Sequence, residues 1–247
     1  MVENLDMMAL AAVIMLFGGV VKGVIGLGLP LITVSLLSLL LPVQEVVGLL
    51  ALPILFANAW QAHRAGGIVQ PIRRFWPLVL TAFIGLMIGV YLLVSIAPHF
   101  LYGIIGVVVV VSCILMLTKW APHIQPGLEK PVGCVVGVFA GISGGISTVW
   151  APPISIYLLM LEVKKEEFIR ATGALFFIGQ APTVVLYWFN GIVHPGNIGW
   201  SAALVPVAFI GMTVGKKIRD RISQERFRRL LLIFLIFLGL VLIGRAI

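Results

Sequence analysis

Ten stretches of hydrophobic residues follow one another along this chain of 247 residues, separated by short polar or glycine-rich segments. A helix needs about 20 apolar residues to cross the hydrocarbon core of a bilayer. Most stretches approach that length, whereas the second, sixth and seventh are shorter. The pattern therefore predicts an all-α polytopic membrane protein with about eight to ten transmembrane segments. The stretches lie at residues 7–22, 29–41, 44–62, 75–95, 99–118, 132–144, 149–161, 169–189, 197–215 and 227–244.

The composition excludes the other broad classes of protein. Hydrophobic residues make up 61% of the chain and charged residues 11%, against roughly 25% charged residues in an average soluble domain. Cys113 and Cys134 lie within apolar stretches and show no metal-ligand spacing. The sequence contains no nucleotide-binding motif and no basic patch interleaved with aromatic residues. We therefore expect no metal, no cofactor, no direct use of ATP and no nucleic-acid partner.

The basic residues are distributed unevenly between the two sides of the predicted membrane. If every stretch crosses once, 15 of the 17 Lys and Arg residues fall on one side. Cytoplasmic loops carry the excess of basic residues in membrane proteins. The charge pattern therefore predicts that these loops are cytoplasmic and that both termini are outside. Only Lys22, between two apolar stretches, and Arg245, at the other end, depart from this pattern.

The chain also contains an internal repeat. Residues 19–26 match residues 137–144, at an offset of 118 positions, and residues 67–71 match residues 191–195, at an offset of 124. Two further glycine pairs match, Gly85 and Gly89 with Gly211 and Gly215.

Each half of the chain contains five apolar segments, and an odd number of crossings places the two halves in opposite orientations. The basic residues agree, because the loop at residues 67–71 is flanked by arginines and its partner at 191–195 has none. Inverted repeats of this kind are typical of secondary transporters. We predict a first repeat at residues 1–118, a cytoplasmic linker at 119–131 and a second repeat at 132–247.

Two glycine-rich interruptions occupy matching places in the two halves, at residues 22–30 and 141–153. Irregular backbone inside a membrane is tolerated only where protein or a wet cavity encloses it, and paired breaks in inverted repeats meet near the midplane. Pro30 and Pro152 suit the first turn of a short helix that restarts after each break. The N-termini of two such helices would favour a bound anion.

Lys22 is the most informative single residue, because an ionised group between apolar stretches is costly unless it is paired. The alternative is that its side chain extends to the cytoplasmic surface. Asn58 and Gln180 would either contact the substrate or tie helices together. The predicted substrate-binding residues are Lys22, Gly26, Gly28, Ser143, Gly144, Gly145, Ser147 and Thr148, with Asn58 and Gln180 in second rank.

Glycine packing accounts for part of the same motifs. Gly19 with Gly23, and Gly137 with Gly141, have the G-x-x-x-G spacing at which helices approach closely. We interpret these four glycines as packing positions and assign Gly26, Gly28, Gly144 and Gly145 to the breaks. The glycine density at these last four positions exceeds what packing requires.

Two other functions remain open at this point. An anion channel would have the same composition as a transporter. Residues 141–144 also fit the G-x-S-G pattern of rhomboid intramembrane proteases, with Ser143 as nucleophile and a histidine on another helix as base. The only downstream histidine, His194, is placed in an outside loop by the charge pattern, so the protease is the weaker alternative.

At its two breaks the sequence resembles the sulfite exporter TauE/SafE family, also called the TSUP family. The resemblance rests on the duplicated glycine-rich motif, the proline after it, the two-half organisation and the size, and it covers essentially the whole chain. In the first copy, Leu27 and Leu29 interrupt the usual glycine run. The resemblance implies a bacterial inner-membrane transporter, not an enzyme, that moves small sulfur-containing anions or organic acids, such as sulfite or sulfoacetate, often outward. Apart from the resemblance, export of an anion needs no coupling ion, whereas uptake would need a coupling proton or ion.

Overall fold

The computed structural model describes residues 5–118, 122–125 and 127–246, with only the backbone described for Lys165, Asp220 and Gln224. The predicted linker therefore lies partly outside the described residues. Eleven α-helices form in the described part of the chain. They are α1 (Leu5–Ile25), α2 (Leu29–Leu37), α3 (Val43–Arg64), α4 (Val69–Arg74), α5 (Trp76–Ser95), α6 (Pro98–Thr118), α7 (Glu129–Ser147), α8 (Ala151–Met160), α9 (Lys165–Phe189), α10 (Pro195–Ile218) and α11 (Gln224–Gly244).

Eight of these helices are long and apolar enough to cross a membrane, namely α1, α3, α5, α6, α7, α9, α10 and α11. The prediction of an all-α polytopic membrane protein is thereby confirmed. Helices α2 and α8 have only 9 and 10 residues, which at about 1.5 Å per residue corresponds to roughly half of a hydrocarbon core. Both begin with a proline in the first turn, Pro30 and Pro152, as the sequence predicts.

Both breaks are shorter than predicted and begin further along the chain, at residues 26 and 148. Helix α1 continues through Lys22 to Ile25, and helix α7 continues through the glycine-rich motif to Ser147. The assignment of Lys22 to the first break is therefore wrong, as is the prediction that the sixth stretch is short. The helices continue because their glycines are packed against neighbouring helices, and that packing offsets the low helix propensity of glycine.

Two helix pairs have the closest packing in the bundle, α1 with α10 and α5 with α7. A methyl group on Gly19 would lie 2.7 Å from the backbone oxygen of Ala208 in α10. A methyl group on Gly145 would lie 2.7 Å from the backbone oxygen of Leu86 in α5. Only glycine, whose side chain is a single hydrogen atom, allows the two backbones to come so close at these positions. In each pair a helix of the first half packs against a helix of the second half.

The packing interpretation of Gly19, Gly23, Gly137 and Gly141 agrees with these contacts. The assignment of Gly144 and Gly145 to the second break is wrong, because both lie inside α7. Gly144 lies against the Trp150 ring and Gly145 against α5.

The helix ends that carry the basic loops lie together at one end of the bundle, which we call the basic end. Arg228, at the start of α11, donates to the backbone oxygen of Met116 near the end of α6, at 3.2 Å. Arg74, at the end of α4, forms ion pairs with Glu129 of α7 and Glu167 of α9. These contacts bring five helix ends to the same side, as expected if every predicted segment changes sides.

Candidate anion-binding site

An open cavity of about 430 Å³ enters the bundle from the basic end. Its walls come from the last turns of α1, α3 and α10 and from the first turns of α9. Because α1 is held against α10 by the glycine contacts, the end of α1 forms one wall of this cavity. We call it the basic cavity.

Lys22 lies at the wall of the basic cavity and is only 4% exposed. Its ammonium nitrogen donates a short hydrogen bond to the side-chain oxygen of Asn58 in α3. Among the described residues, no carboxylate forms an ion pair with Lys22. When Lys22 is protonated, its ammonium group is held by a neutral amide and lacks a compensating negative charge, so it places an unpaired positive charge at the wall of the cavity.

Three further cationic side chains line the same cavity: Arg64 at the end of α3, Lys216 near the end of α10, and Arg219 just after it. None of the described lining residues is acidic. Like charges around a concave, partly desolvated space raise the local concentration of anions. The electrostatics of the basic cavity therefore favour an anionic ligand.

The first break separates the basic cavity from a second, smaller space. Gly26 and Gly28 have φ angles of 85° and 98°, which glycine adopts without steric strain. Ile25 and Leu27 line both the basic cavity and an apolar cavity of about 30 Å³. The break thus forms a thin wall, with Gly26 on the side of the basic cavity and Gly28 on the other.

The N-termini of the two short helices border the same small cavity. Gly28, before α2, and Ala151 and Pro152, at the start of α8, line the same small apolar cavity. Lys22 does not line this cavity, and Arg228 is the one charged residue among its described lining residues. The structure therefore separates the meeting point of the short helices from the cationic cavity, whereas the sequence placed both at one site.

Three predicted hydroxyl groups lie at the second break and do not line the basic cavity. Ser143 donates to the backbone oxygen of Val149, and Ser147 donates to the backbone oxygen of Ser143, both at 2.8 Å. Thr148 ends α7 in a left-handed conformation, with a φ angle of 59°, and is fully buried. These serine contacts hold the chain reversal between α7 and α8.

Gln180 is fully buried in α9, and its side-chain nitrogen lies 3.5 Å from the backbone oxygen of Ala51 in α3. Trp150 is 2% exposed, packs on Gly144 and Gly179, and lines an apolar cavity of about 230 Å³ between α5, α8 and α9.

The structure thus brings Lys22, Gly26 and Asn58 together at the basic end. It places the other predicted site residues elsewhere.

Sequence reasoning missed most of the lining of the basic cavity. In the sequence, Arg64, Lys216 and Arg219 count only among the basic residues that mark the predicted cytoplasmic side. No local signal distinguishes these residues from other loop residues, because it is the pairing of α1 with α10 that brings them around Lys22.

A bundle of eight helices, each long and apolar enough to cross a membrane, defines this protein as a polytopic membrane protein. Comparison with protein-family models gives the particular family. The model of the sulfite exporter TauE/SafE family matches residues 10–242, so the chain belongs to that family. This is a family of membrane transporters and not of enzymes. Searches of curated proteins and of solved structures find no match to this chain.

Proposed function

We propose that this protein is a secondary transporter that moves a small anion, of the sulfur-containing class, across the bacterial inner membrane. One observation carries the proposal: Lys22 is buried at the wall of a cavity whose charged lining residues are all cationic among those described. Membership of the sulfite exporter family supports the choice of a sulfur oxyanion or sulfonate as cargo.

The contact between Lys22 and Asn58 suits a site that is loaded and emptied in turn. A carboxylate partner would neutralise the ammonium permanently, whereas the amide oxygen of Asn58 stabilises it without cancelling its charge. An anion that enters the basic cavity supplies the missing charge. The binding free energy is therefore largest for a ligand with an oxyanion group that reaches Lys22.

We infer that transport runs outward by alternating access. The basic end contains the cationic helix ends that the positive-inside rule assigns to the cytoplasm, and the basic cavity opens there. An interior-negative potential favours exit of an anion by about 2.3 kcal/mol per charge and per 100 mV. Export therefore needs no coupling ion, whereas uptake would require one, such as a proton.

The direct test is transport in proteoliposomes by the Lys22→Met variant, which keeps the aliphatic length and removes the charge. We expect sulfite or sulfoacetate flux to fall to the level of empty liposomes while the unfolding temperature stays unchanged or rises. Lys217→Met is the matched control, because Lys217 is exposed at the same end and does not line the cavity. Normal flux in the Lys22 variant would refute the site.

The same assay separates a transporter from an anion channel. Flux through a transporter saturates with substrate and is accelerated by substrate on the opposite side, whereas flux through a channel scales with the gradient.

The protease alternative is disfavoured by the structure. Ser143 donates its hydroxyl hydrogen to the oxygen of Val149, and His194 caps the start of α10 by accepting from the amide of Gly196.

A further inference from the structure

The last basic loop of the chain carries far more positive charge than the other basic loops. Residues 216–229 contain seven Lys and Arg residues and two acidic residues, whereas each of the other basic loops contains two or three Lys and Arg residues. Those loops follow the positive-inside rule with that smaller number, so membrane orientation alone does not account for seven. Five of the seven are arginines, whose planar guanidinium groups bind phosphate by two parallel hydrogen bonds.

Three of the seven cations have contacts inside the bundle. Lys216 and Arg219 line the basic cavity. Arg228 turns towards α6, where it donates to the backbone oxygen of Met116. These contacts leave the exposed cations of the loop to be explained.

Three exposed arginines lie at or just before the start of α11. Arg226 and Arg229 are three residues apart on this helix, so they are neighbours on one face, with roughly 5–6 Å between their Cβ atoms. Arg221 lies in the short connection before α11. Within the described residues, no hydrogen bond or ion pair forms to any of the three. We call them the arginine cluster; Lys217, also exposed, belongs to α10.

The start of α11 has an unfavourable charge distribution for a helix. Arg226, Arg228 and Arg229 lie in its first two turns, against one acidic side chain there, Glu225. The N-terminus of a helix carries a partial positive charge, so cations there are destabilising and a nearby anion is stabilising. Ser223, the N-cap residue, forms no capping hydrogen bond through its side chain. A bound anion would supply the negative charge that this helix end lacks.

An exposed apolar face of α11 begins directly beside the arginine cluster. Leu230 follows Arg226 by four residues, and Ile233 and Phe237 follow Arg229 by four and eight, so all five lie along one side of the helix. The three apolar side chains are exposed, on a helix long and apolar enough to cross a membrane. A ligand that fits both parts of this surface has an anionic head and hydrocarbon chains.

We propose that the arginine cluster binds the phosphate headgroup of an anionic phospholipid, such as phosphatidylglycerol, whose acyl chains lie along the exposed face of α11. A zwitterionic phospholipid has the same phosphate but adds a cation, which the arginines repel. Helix α10 packs most extensively on α1, and α11 on α6. A lipid bound at the connection between α10 and α11 therefore stabilises the junction of these two helix pairs, whatever substrate the protein carries.

The test is native mass spectrometry of the purified full-length protein, released from a neutral detergent. The protein is offered equal amounts of dioleoylphosphatidylglycerol and dioleoylphosphatidylcholine, which have the same chains and phosphate but differ in net charge. We expect phosphatidylglycerol to be retained at least about ten-fold in preference, because each cation near an anionic headgroup contributes roughly five-fold. Phosphatidylglycerol, and not phosphatidylcholine, should also raise the unfolding temperature in detergent.

The variant that combines Arg221→Gln, Arg226→Gln and Arg229→Gln should reduce the lipid preference to about two-fold or less. Should the triple variant fail to fold, Arg229→Gln alone should lower the preference at least about three-fold.

The matched control removes three exposed positive charges from the other basic loops, through Arg73→Gln, Lys130→Gln and Lys164→Gln. It should keep the full preference for phosphatidylglycerol. An equal loss in both triple variants would show a general attraction between opposite net charges, and equal binding of the two lipids would show no anionic-lipid site; either result overturns the proposal. Binding of soluble glycerol 3-phosphate as tight as that of phosphatidylglycerol would assign the arginine cluster to a soluble phosphate and overturn it as well.

Discussion

Lys22 is placed by the residues on either side of it. Gly19 and Gly23 lie against α10, and Lys22 lies on an adjacent face of the same helix, where it meets Asn58 of α3. A lysine costs about 2.5–3.5 kcal/mol on insertion scales at the centre of a membrane-spanning helix, which is an upper bound for Lys22 in the last turn of α1. That cost is tolerable here because the side chain reaches a cavity and an amide oxygen and does not face lipid.

Replacing Asn58 by aspartate tests whether the uncompensated charge of Lys22 is what binds the substrate. In Asn58→Asp a carboxylate takes the position of the amide oxygen and neutralises the ammonium permanently. We expect anion flux in proteoliposomes to fall about ten-fold or more and the unfolding temperature not to fall. Unchanged flux would show that the substrate does not use the charge of Lys22.

Asn58→Leu tests, in the same assay, the loss of the hydrogen bond to Lys22 without the addition of a negative charge. It removes the only described hydrogen-bond acceptor of Lys22, which should cost about 1–3 kcal/mol of stability. Asn190→Asp serves as the control for the added carboxylate, because Asn190 is exposed beyond the end of α9. It should leave flux unchanged and lower the unfolding temperature slightly, because the amide of Asn190 donates to the backbone oxygen of Leu186 at 2.8 Å and a carboxylate cannot.

The helix pairs α1 with α10 and α5 with α7 decide where each helix end lies. Their glycines form a repeated pattern in sequence, and they meet across the two halves of the chain. Gly211 of α10 lies against Gly19 of α1, and Gly89 of α5 lies against Gly145 of α7. The sequence identified most of these glycines, but it did not show which helix each one meets.

Gly19→Ala tests this packing at the level of the helix pair. A methyl group there would lie 2.7 Å from the oxygen of Ala208 and 3.1 Å from the Cα atom of Gly211, so the two backbones must separate. We expect a loss of about 1–3 kcal/mol from overpacking, seen as a lower unfolding temperature in detergent.

Gly199→Ala is the matched control, because a methyl group at Gly199 of α10 meets nothing within 4 Å. Alanine has the higher helix propensity by about 1 kcal/mol, so this variant should keep or raise the unfolding temperature. If both substitutions shift the unfolding temperature in the same direction and by the same amount, close packing of α1 against α10 is not what makes Gly19 necessary.

Over the whole molecule, the charge pattern and the tertiary contacts agree on one arrangement. The basic helix ends gather at one end of the bundle, and the opposite end contains Arg245, which donates to the backbone oxygen of Ser38 at 3.1 Å. The two proposed repeats are intertwined, because α1 packs on the second half and α7 on the first. A movement of one half against the other would therefore have to carry helices of both.

The proposed sidedness can be measured by cysteine labelling with a membrane-impermeant maleimide, after Cys113 and Cys134 are replaced by alanine. Lys217→Cys should react only in inside-out vesicles, and Asn190→Cys only in intact cells. Both positions are exposed, and the positive-inside rule places them on opposite sides. Labelling of both from one side, or of each from the side opposite to that expected, would contradict the topology.

The sequence by itself determined the class of the protein and the starts of the short helices at Pro30 and Pro152. These features depend on properties that a local stretch of chain carries alone: apolar length, the fixed φ angle of proline, and the cost of unpaired backbone groups in lipid. The same local rules identified Lys22 and Asn58 as unusual residues.

Only the tertiary structure decided which of the unusual residues share a site. It separated Ser143, Ser147, Thr148 and Gln180 from the cavity of Lys22, and it added Arg64, which carries no local signal. The physical reason is that a glycine-rich helix has the same sequence pattern whether it is broken or tightly packed. Whether the glycine-rich helix continues or breaks depends on whether a neighbouring helix packs against its glycines.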